Sequence, residues 1–118
     1  MEIYREFKFD AAHRLPNLPD GHRCGNLHGH TFAVFVHIEG SVGNDTGWVK
    51  DYGEIKSICA PVIDMLDHRN LNNIPGLENP TSEIIAQWLW KRIKPYLPDL
   101  SMIEVKETAS TGCRYRGQ

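Results

Sequence analysis

Cys24-Gly25-Asn26-Leu27-His28-Gly29-His30-Thr31-Phe32-Ala33-Val34-Phe35-Val36-His37-Ile38 joins the clearest strand of the chain to its densest group of metal-binding side chains. From Thr31 onward, Phe32, Val34, Val36 and Ile38 form one apolar face, with Thr31, Ala33, Phe35 and His37 on the other. That period of two predicts a half-buried strand. Counted backwards, His28 and His30 share the phase of Phe32 and Val34, unless Gly29 introduces a bulge. Two imidazoles at i, i+2 on extended backbone point to the same side, and side chains in phase with a core need partners for their nitrogens. The bland reading of His-Gly-His is a turn with polar surface histidines. With His13 and Cys24 added, a metal site is the better one. Three neutral imidazoles leave one position of a tetrahedral zinc ion open to water or substrate, the catalytic arrangement, and the Cys24 thiol would sit beside it.

Upstream, Ile3, Phe7 and Phe9 alternate with Tyr4, Glu6, Lys8 and Asp10, which predicts another strand, although Arg5 interrupts its apolar face. If the backbone stays extended through Ala11-Ala12, His13 falls on the face of Ile3, Phe7 and Phe9. A neighbouring strand then supplies the third imidazole. Arg14 to Gly21, with two prolines and Asp20-Gly21, reads as a loop leading into Cys24. His22 lies in that loop and His37 on the opposite strand face, so neither is given a role.

Downstream, Ile55, Ile58, Cys59, Val62 and Leu66 recur at helical spacing and predict a helix from about Tyr52 to Leu66. Pro61 should kink or divide it, and Cys59, on the buried stripe, belongs to the core. Asp67-His68 follows as that helix ends. It is either a helix terminus with local hydrogen bonds or a histidine tuned by a carboxylate for proton transfer. Asn79-Pro80-Thr81-Ser82-Glu83 opens a second helix, with cap-forming side chains, proline in the first turn and early negative charge. Ile84, Ile85, Trp88, Leu89 and Ile93 make its buried face; Trp90, off that stripe, suggests a contact with another subunit. Ser101 to Glu107 is a third strand, in which Glu107 extends the face of Ile103 and Val105. A carboxylate there is at a frayed end or held in a pocket for a ligand. Cys113-Arg114-Tyr115-Arg116 reads as a final edge strand, and Cys113 is assigned no chemistry. The order ββααββ makes an α+β protein, with residues 1–118 as one domain whose exposed sheet edges oligomerisation would cover.

Composition narrows the partners. With 118 residues, 41% hydrophobic and 24% charged, the chain has the balance of an ordinary globular domain. A net charge of -2 gives no basic footprint for nucleic acid or anionic membrane. No apolar run approaches the roughly 20 residues of a membrane span, and the mixed, charged stretch Met1 to Glu6 is unlike a secretory signal. Three cysteines without a C-x-x-C pair indicate neither a disulfide framework nor a zinc ribbon, which fits a reducing cytoplasm.

Five stretches taken in order resemble one family. They are His13 after Ala11-Ala12, Cys24-x-x-x-His28-Gly29-His30, Leu66-Asp67-His68-x-x-Leu71-Asn72, Asn79-Pro80-Thr81-Ser82-Glu83 and Val105-Lys106-Glu107-Thr108. Together they are similar to the 6-pyruvoyl-tetrahydropterin synthase family over nearly the whole chain. Three residues between the cysteine and His-Gly-His resemble its carboxy-forming branch; the pyruvoyl-forming animal enzymes have a longer gap. The resemblance implies a tunnelling fold (T-fold), in which antiparallel sheets of several subunits join into a barrel, commonly as a homohexamer of two trimers with active sites between subunits. It implies that His13, His28 and His30 bind zinc and that Cys24 is the general base. Asp67 and His68 would form a proton relay, in the same chain or presented by a neighbouring subunit. Glu107 would anchor the pterin ring and join the relay. The implied substrate is 7,8-dihydroneopterin triphosphate, which would lose triphosphate and acetaldehyde in queuosine (deazapurine) biosynthesis. A thiol with an ordinary pKa around 8.5 serves as base near neutrality if the metal, His68 or Arg23 lowers that value. Two other readings stand beside this one. One is the same fold making the pyruvoyl product. The other is a non-enzymatic zinc-stabilised assembly module with a fourth protein ligand, for which Cys24 is the candidate.

Overall fold

Alternation shapes the two N-terminal strands as the sequence predicts. In the computed structural model, which describes residues 1–118, β1 spans Glu2–His13 and β2 spans His28–Glu39. They pair antiparallel along their full length, from Glu2 opposite Glu39 to His13 opposite His28. Gly29 lies opposite Ala12 with no bulge, so His28 and His30 keep the phase of Phe32. Phe32, Val34, Val36 and Ile38 are completely buried, each such side chain being worth about 1.5–3 kcal/mol in apolar area removed from water. Arg5 is tolerated on the inner face because its guanidinium reaches out to donate to the Tyr52 carbonyl at 3.0 Å.

Helix α1 spans Tyr52–Asp64 and starts at Asp51, whose carboxylate accepts from the Gly53 N–H at 2.8 Å. It buries Ile55, Cys59 and Ile63. Pro61 sits inside its last turn and does not divide it: the proline is exposed, so the carbonyl it leaves without a donor faces solvent. A two-residue strand, β3 (Arg69–Asn70), follows and pairs in parallel with Ala11 and Ala12. Helix α2 spans Ser82–Ile93, with the Thr81 hydroxyl accepting from the Ile84 N–H at 3.2 Å. Thr81 is therefore the cap, and Pro80 stands just before it rather than in the first turn. Strands β4 (Leu100–Thr108) and β5 (Thr111–Tyr115) close the chain as an antiparallel hairpin.

The sheet order is β3-β1-β2-β4-β5, antiparallel except at the β3 edge. This is the expected ββααββ order with one short strand added between the helices. Both helices lie on one face of the sheet and share with it a cluster of 21 buried residues. Tyr4, Glu6, Lys8, Asp10 and Thr31 point from the opposite face, and all are exposed. Trp90 has partners within its own chain: it stacks edge-on against Tyr115, with ring centroids 5.7 Å apart, and Gly117 passes so close that a Cβ there would clash with its ring. The molecule measures 57 × 24 × 22 Å, and its 15.4 Å radius of gyration exceeds the roughly 13.5 Å of a rounder chain of this length.

Candidate metal centre and active site

At the paired ends of β1 and β2, three imidazoles converge. His13 Nδ1 bonds the Pro80 carbonyl at 2.8 Å, and His28 Nδ1 bonds the Asn26 carbonyl at 2.7 Å. A carbonyl only accepts, so each Nδ1 carries the hydrogen and, in the neutral rings, each Nε2 is a bare acceptor. Those two Nε2 atoms face each other 3.1 Å apart. Lone pairs so placed repel unless a proton or a cation joins them. His30 Nε2 is buried and, although Glu107 Oε1 is only 3.0 Å away, no partner meets it in hydrogen-bond geometry. Burial lowers the His30 pKa; Glu107 opposes this, and His13 and His28 reinforce it. That direction favours the neutral ring, the form in which an imidazole binds a metal. Around zinc, with Zn–N bonds of about 2.0–2.1 Å, tetrahedral nitrogens stand about 3.3 Å apart, close to the spacing seen here. The donor set fits a metal ion.

Glu107 follows Ile103 and Val105 on the inner face of β4 and joins this group at a local irregularity of the strand. Lys106 pairs with Gly112 and Thr108 with Thr111, so the register shifts across Glu107. A bulge of this kind re-aims a side chain, and here Glu107 Oε1 comes within 3.2 Å of His13 Nε2 as well as 3.0 Å of His30 Nε2. Donor atoms of His13, His28, His30 and Glu107 all lie within 4.8 Å of one another, and Cys24 is outside that group. The thiol is close by, however. Arg23, Cys24, His28, His30, Glu107 and Thr108 line one cleft of about 510 Å³. Cys24 belongs to a single 3-10 turn, Arg23–Gly25, held by His22 Nδ1 accepting from the Cys24 N–H at 3.1 Å and by the Leu15 N–H donating to the Cys24 carbonyl at 2.8 Å. His22, given no role from sequence, is thus part of the support of Cys24. The Pro80 and Asn26 carbonyls were invisible for the same reason: each depends on where a loop passes.

Asp67 and His68 are not brought to Cys24 within this chain. They gather with Asp10 in a second group, beside Thr31, on the face of the sheet opposite the three imidazoles. Asp67 accepts from the Asp10 N–H at 2.9 Å and meets His68 Nδ1 at 3.0 Å. The Asp10 N–H and then His68 hold the Asp67 carboxyl below its ordinary pKa. His68 takes a left-handed backbone, φ 59°, while its N–H donates to the Asp10 carbonyl at 2.6 Å, a conformation that costs a non-glycine residue energy and tends to mark functional positions. A cleft of about 610 Å³ opens there, lined by Asp10, His68, Arg69 and His30. His30 is the one residue that lines both clefts.

Fold and site together define an α+β protein with a cluster of three histidines and a glutamate, able to hold a metal ion, that opens into a cleft. The family described as 6-pyruvoyl tetrahydropterin synthase matches residues 2–118. A 6-carboxy-5,6,7,8-tetrahydropterin synthase of Synechocystis is 40% identical, with 96% of this chain and 91% of that protein aligned. A dihydroneopterin monophosphate aldolase of Pyrococcus furiosus is 43% identical over 81% of this chain and 76% of its own length. The solved 6-pyruvoyl tetrahydropterin synthase of Caenorhabditis elegans superposes with a TM-score of 0.92 at 28% identity, over all of this chain and 96% of that one. The chain belongs to the 6-pyruvoyl tetrahydropterin synthase family and has its T-fold. It is a pterin-converting lyase of that family, and the cluster of His13, His28, His30 and Glu107 is consistent with a metal site. No helix is long and apolar enough to cross a membrane.

Proposed function

We propose that the chain is a zinc-dependent 6-carboxy-5,6,7,8-tetrahydropterin synthase of queuosine biosynthesis. It converts 7,8-dihydroneopterin triphosphate and water to 6-carboxytetrahydropterin, acetaldehyde and triphosphate. The observation that carries this reading is a single cleft shared by Cys24, His28, His30 and Glu107, with the imidazole Nε2 atoms bare. The 40% identity to the Synechocystis protein of that name, and the three-residue gap between Cys24 and His28, favour the carboxy-forming branch over the pyruvoyl one.

His13, His28 and His30 hold zinc, which supplies charge that acidifies the substrate's side-chain hydroxyls and stabilises developing oxyanions. Cys24, near but outside the ligand group, takes a proton from the side chain as thiolate. Glu107 offers two acceptor oxygens to the adjacent 2-amino and N3 donors of a pterin. Asp67 and His68 act as the second proton relay. Because they lie on the far face of their own sheet, they serve the site of a neighbouring subunit in a homohexamer.

One observation favours a second reading. Glu107 Oε1 is within 3.0–3.2 Å of two ligand nitrogens, and as a fourth ligand it would close the site, as in structural zinc centres. Glu107→Gln separates the two: the enzyme reading expects zinc retained and pterin binding lost, and lost zinc makes Glu107 a ligand. The decisive experiment is mass spectrometry of products from the zinc-loaded protein given 7,8-dihydroneopterin triphosphate and, separately, dihydroneopterin monophosphate. Carboxytetrahydropterin with acetaldehyde from the triphosphate establishes the proposal. A pyruvoyl product, or turnover of the monophosphate alone, moves the chain to another branch, and no turnover with zinc bound promotes the structural reading.

A further inference from the structure

Two motifs remain without a role in that chemistry: Leu71-Asn72, which follows β3, and Asn79-Pro80, which precedes α2. The Asn72 side chain connects them. Its Oδ1 accepts from the Arg14 N–H at 2.9 Å, and its Nδ2 donates to the Arg14 carbonyl at 2.8 Å and to the Glu78 carbonyl at 3.3 Å. The partners fix the amide's orientation, since an N–H needs the oxygen and two carbonyls need the NH₂. Asn72 is itself held in the 3-10 turn Leu71–Asn73, where its N–H donates to Asn70 Oδ1 at 3.2 Å and Leu71 is fully buried.

Arg14 is the residue after His13, and Glu78 lies two residues before Pro80, whose carbonyl bonds the fully buried His13 Nδ1 at 2.8 Å. One amide therefore clasps both sides of the contact that sets the tautomer and aim of His13. We infer that Asn72 is a positioning residue of the metal centre. It ties the strand end that carries His13 to the loop that carries Pro80, so that His13 Nε2 is presented bare to the ion. Aspartate cannot replace it: the isosteric carboxylate keeps the Arg14 N–H bond but has no hydrogen to give the two carbonyls. Outer partners of this kind typically change metal affinity 10- to 100-fold when removed.

The inference rests on the metal reading of the histidine cluster, and its test separates the two. Zinc affinity is measured on the full chain by competition with a chromophoric chelator, for the unsubstituted protein, Asn72→Ala and Asn72→Asp. A long-range imidazole ¹⁵N spectrum is recorded alongside. The expected result is tight binding by the unsubstituted protein, weakened 10- to 100-fold in both variants, with the slowly exchanging His13 Nδ1–H signal lost. Equal affinity in all three overturns the role of Asn72 and leaves the metal site standing. Failure of the unsubstituted protein to bind zinc overturns the metal reading, and the inference with it. If the variants do not fold, reciprocity supplies a test on the unsubstituted chain: a clasp that tightens zinc binding must be tightened by zinc. Hydrogen exchange at the Arg14 N–H, bonded to Asn72 Oδ1, then slows on zinc addition; unchanged exchange overturns the inference.

Discussion

Cys24 and Cys59 carry the same thiol in opposite settings. Cys59 is fully buried, and burial pushes its pKa from 9.0 up to about 12. Cys24 lines an open cleft beside two imidazoles. Iodoacetamide at pH 8 should therefore label Cys24 in the folded protein and spare Cys59, as peptide mass spectrometry would read; labelled Cys59 without unfolding refutes that placement. The raised pKa also carries a sign. A thiol whose folded pKa lies above its ordinary value stabilises fully below about 9.0, and that contribution is lost as pH rises toward about 12. The melting temperature should fall more steeply between pH 9 and 11 in the unsubstituted chain than in Cys59→Val. For Cys24, replacement by alanine should leave bound zinc unchanged and lower turnover about 10²- to 10⁴-fold, the range for a lost general base. Zinc analysis of that variant checks the claim, because loss of the metal would make Cys24 a ligand instead.

Among the elements, the β4–β5 hairpin decides where Glu107 points. A Cβ on Gly112 would lie 2.6 Å from the Val105 carbonyl oxygen, so the strands close beside the bulge only because that atom is missing. Gly112→Ala should cost about 1–3 kcal/mol and disturb the Glu107 position, seen as a lower melting temperature and weaker pterin binding together. Thr81→Ala removes a helix cap and should cost about 1 kcal/mol with pterin binding kept, which separates a hairpin effect from general loosening. Strict alternation made β1 and β2 legible in the sequence, and with them the meeting of His13, His28 and His30. Helical spacing did the same for both helices. The bulge at Glu107 was not legible, because it depends on pairing with a strand that had yet to be placed. Nor was β3, two residues long and fixed by Asp67 reaching the Asp10 N–H across 57 residues. The intrachain packing of Trp90 was not legible either, because a periodicity within one helix cannot register that Tyr115 and Gly117 pass beside it.

As a whole molecule, the chain builds its apolar core without the histidine cluster. The 21 residues of the buried cluster are apolar and exclude His13, His28 and His30. Chelation should therefore leave a cooperatively melting protein with unchanged far-ultraviolet circular dichroism. The melting temperature should rise with added zinc as mass action requires. Collapse to an unfolded chain on chelation, as in zinc fingers, would contradict this and favour a metal-built scaffold. The elongated outline bears on how such experiments are interpreted. A particle 57 Å long and less than half as wide meets more friction than a sphere of its 13.5 kDa mass. A lone subunit will elute somewhat ahead of a compact chain of its mass on a sizing column, which inflates any copy number read from elution alone. Only a shape-independent mass, from light scattering or sedimentation equilibrium, counts the copies in solution.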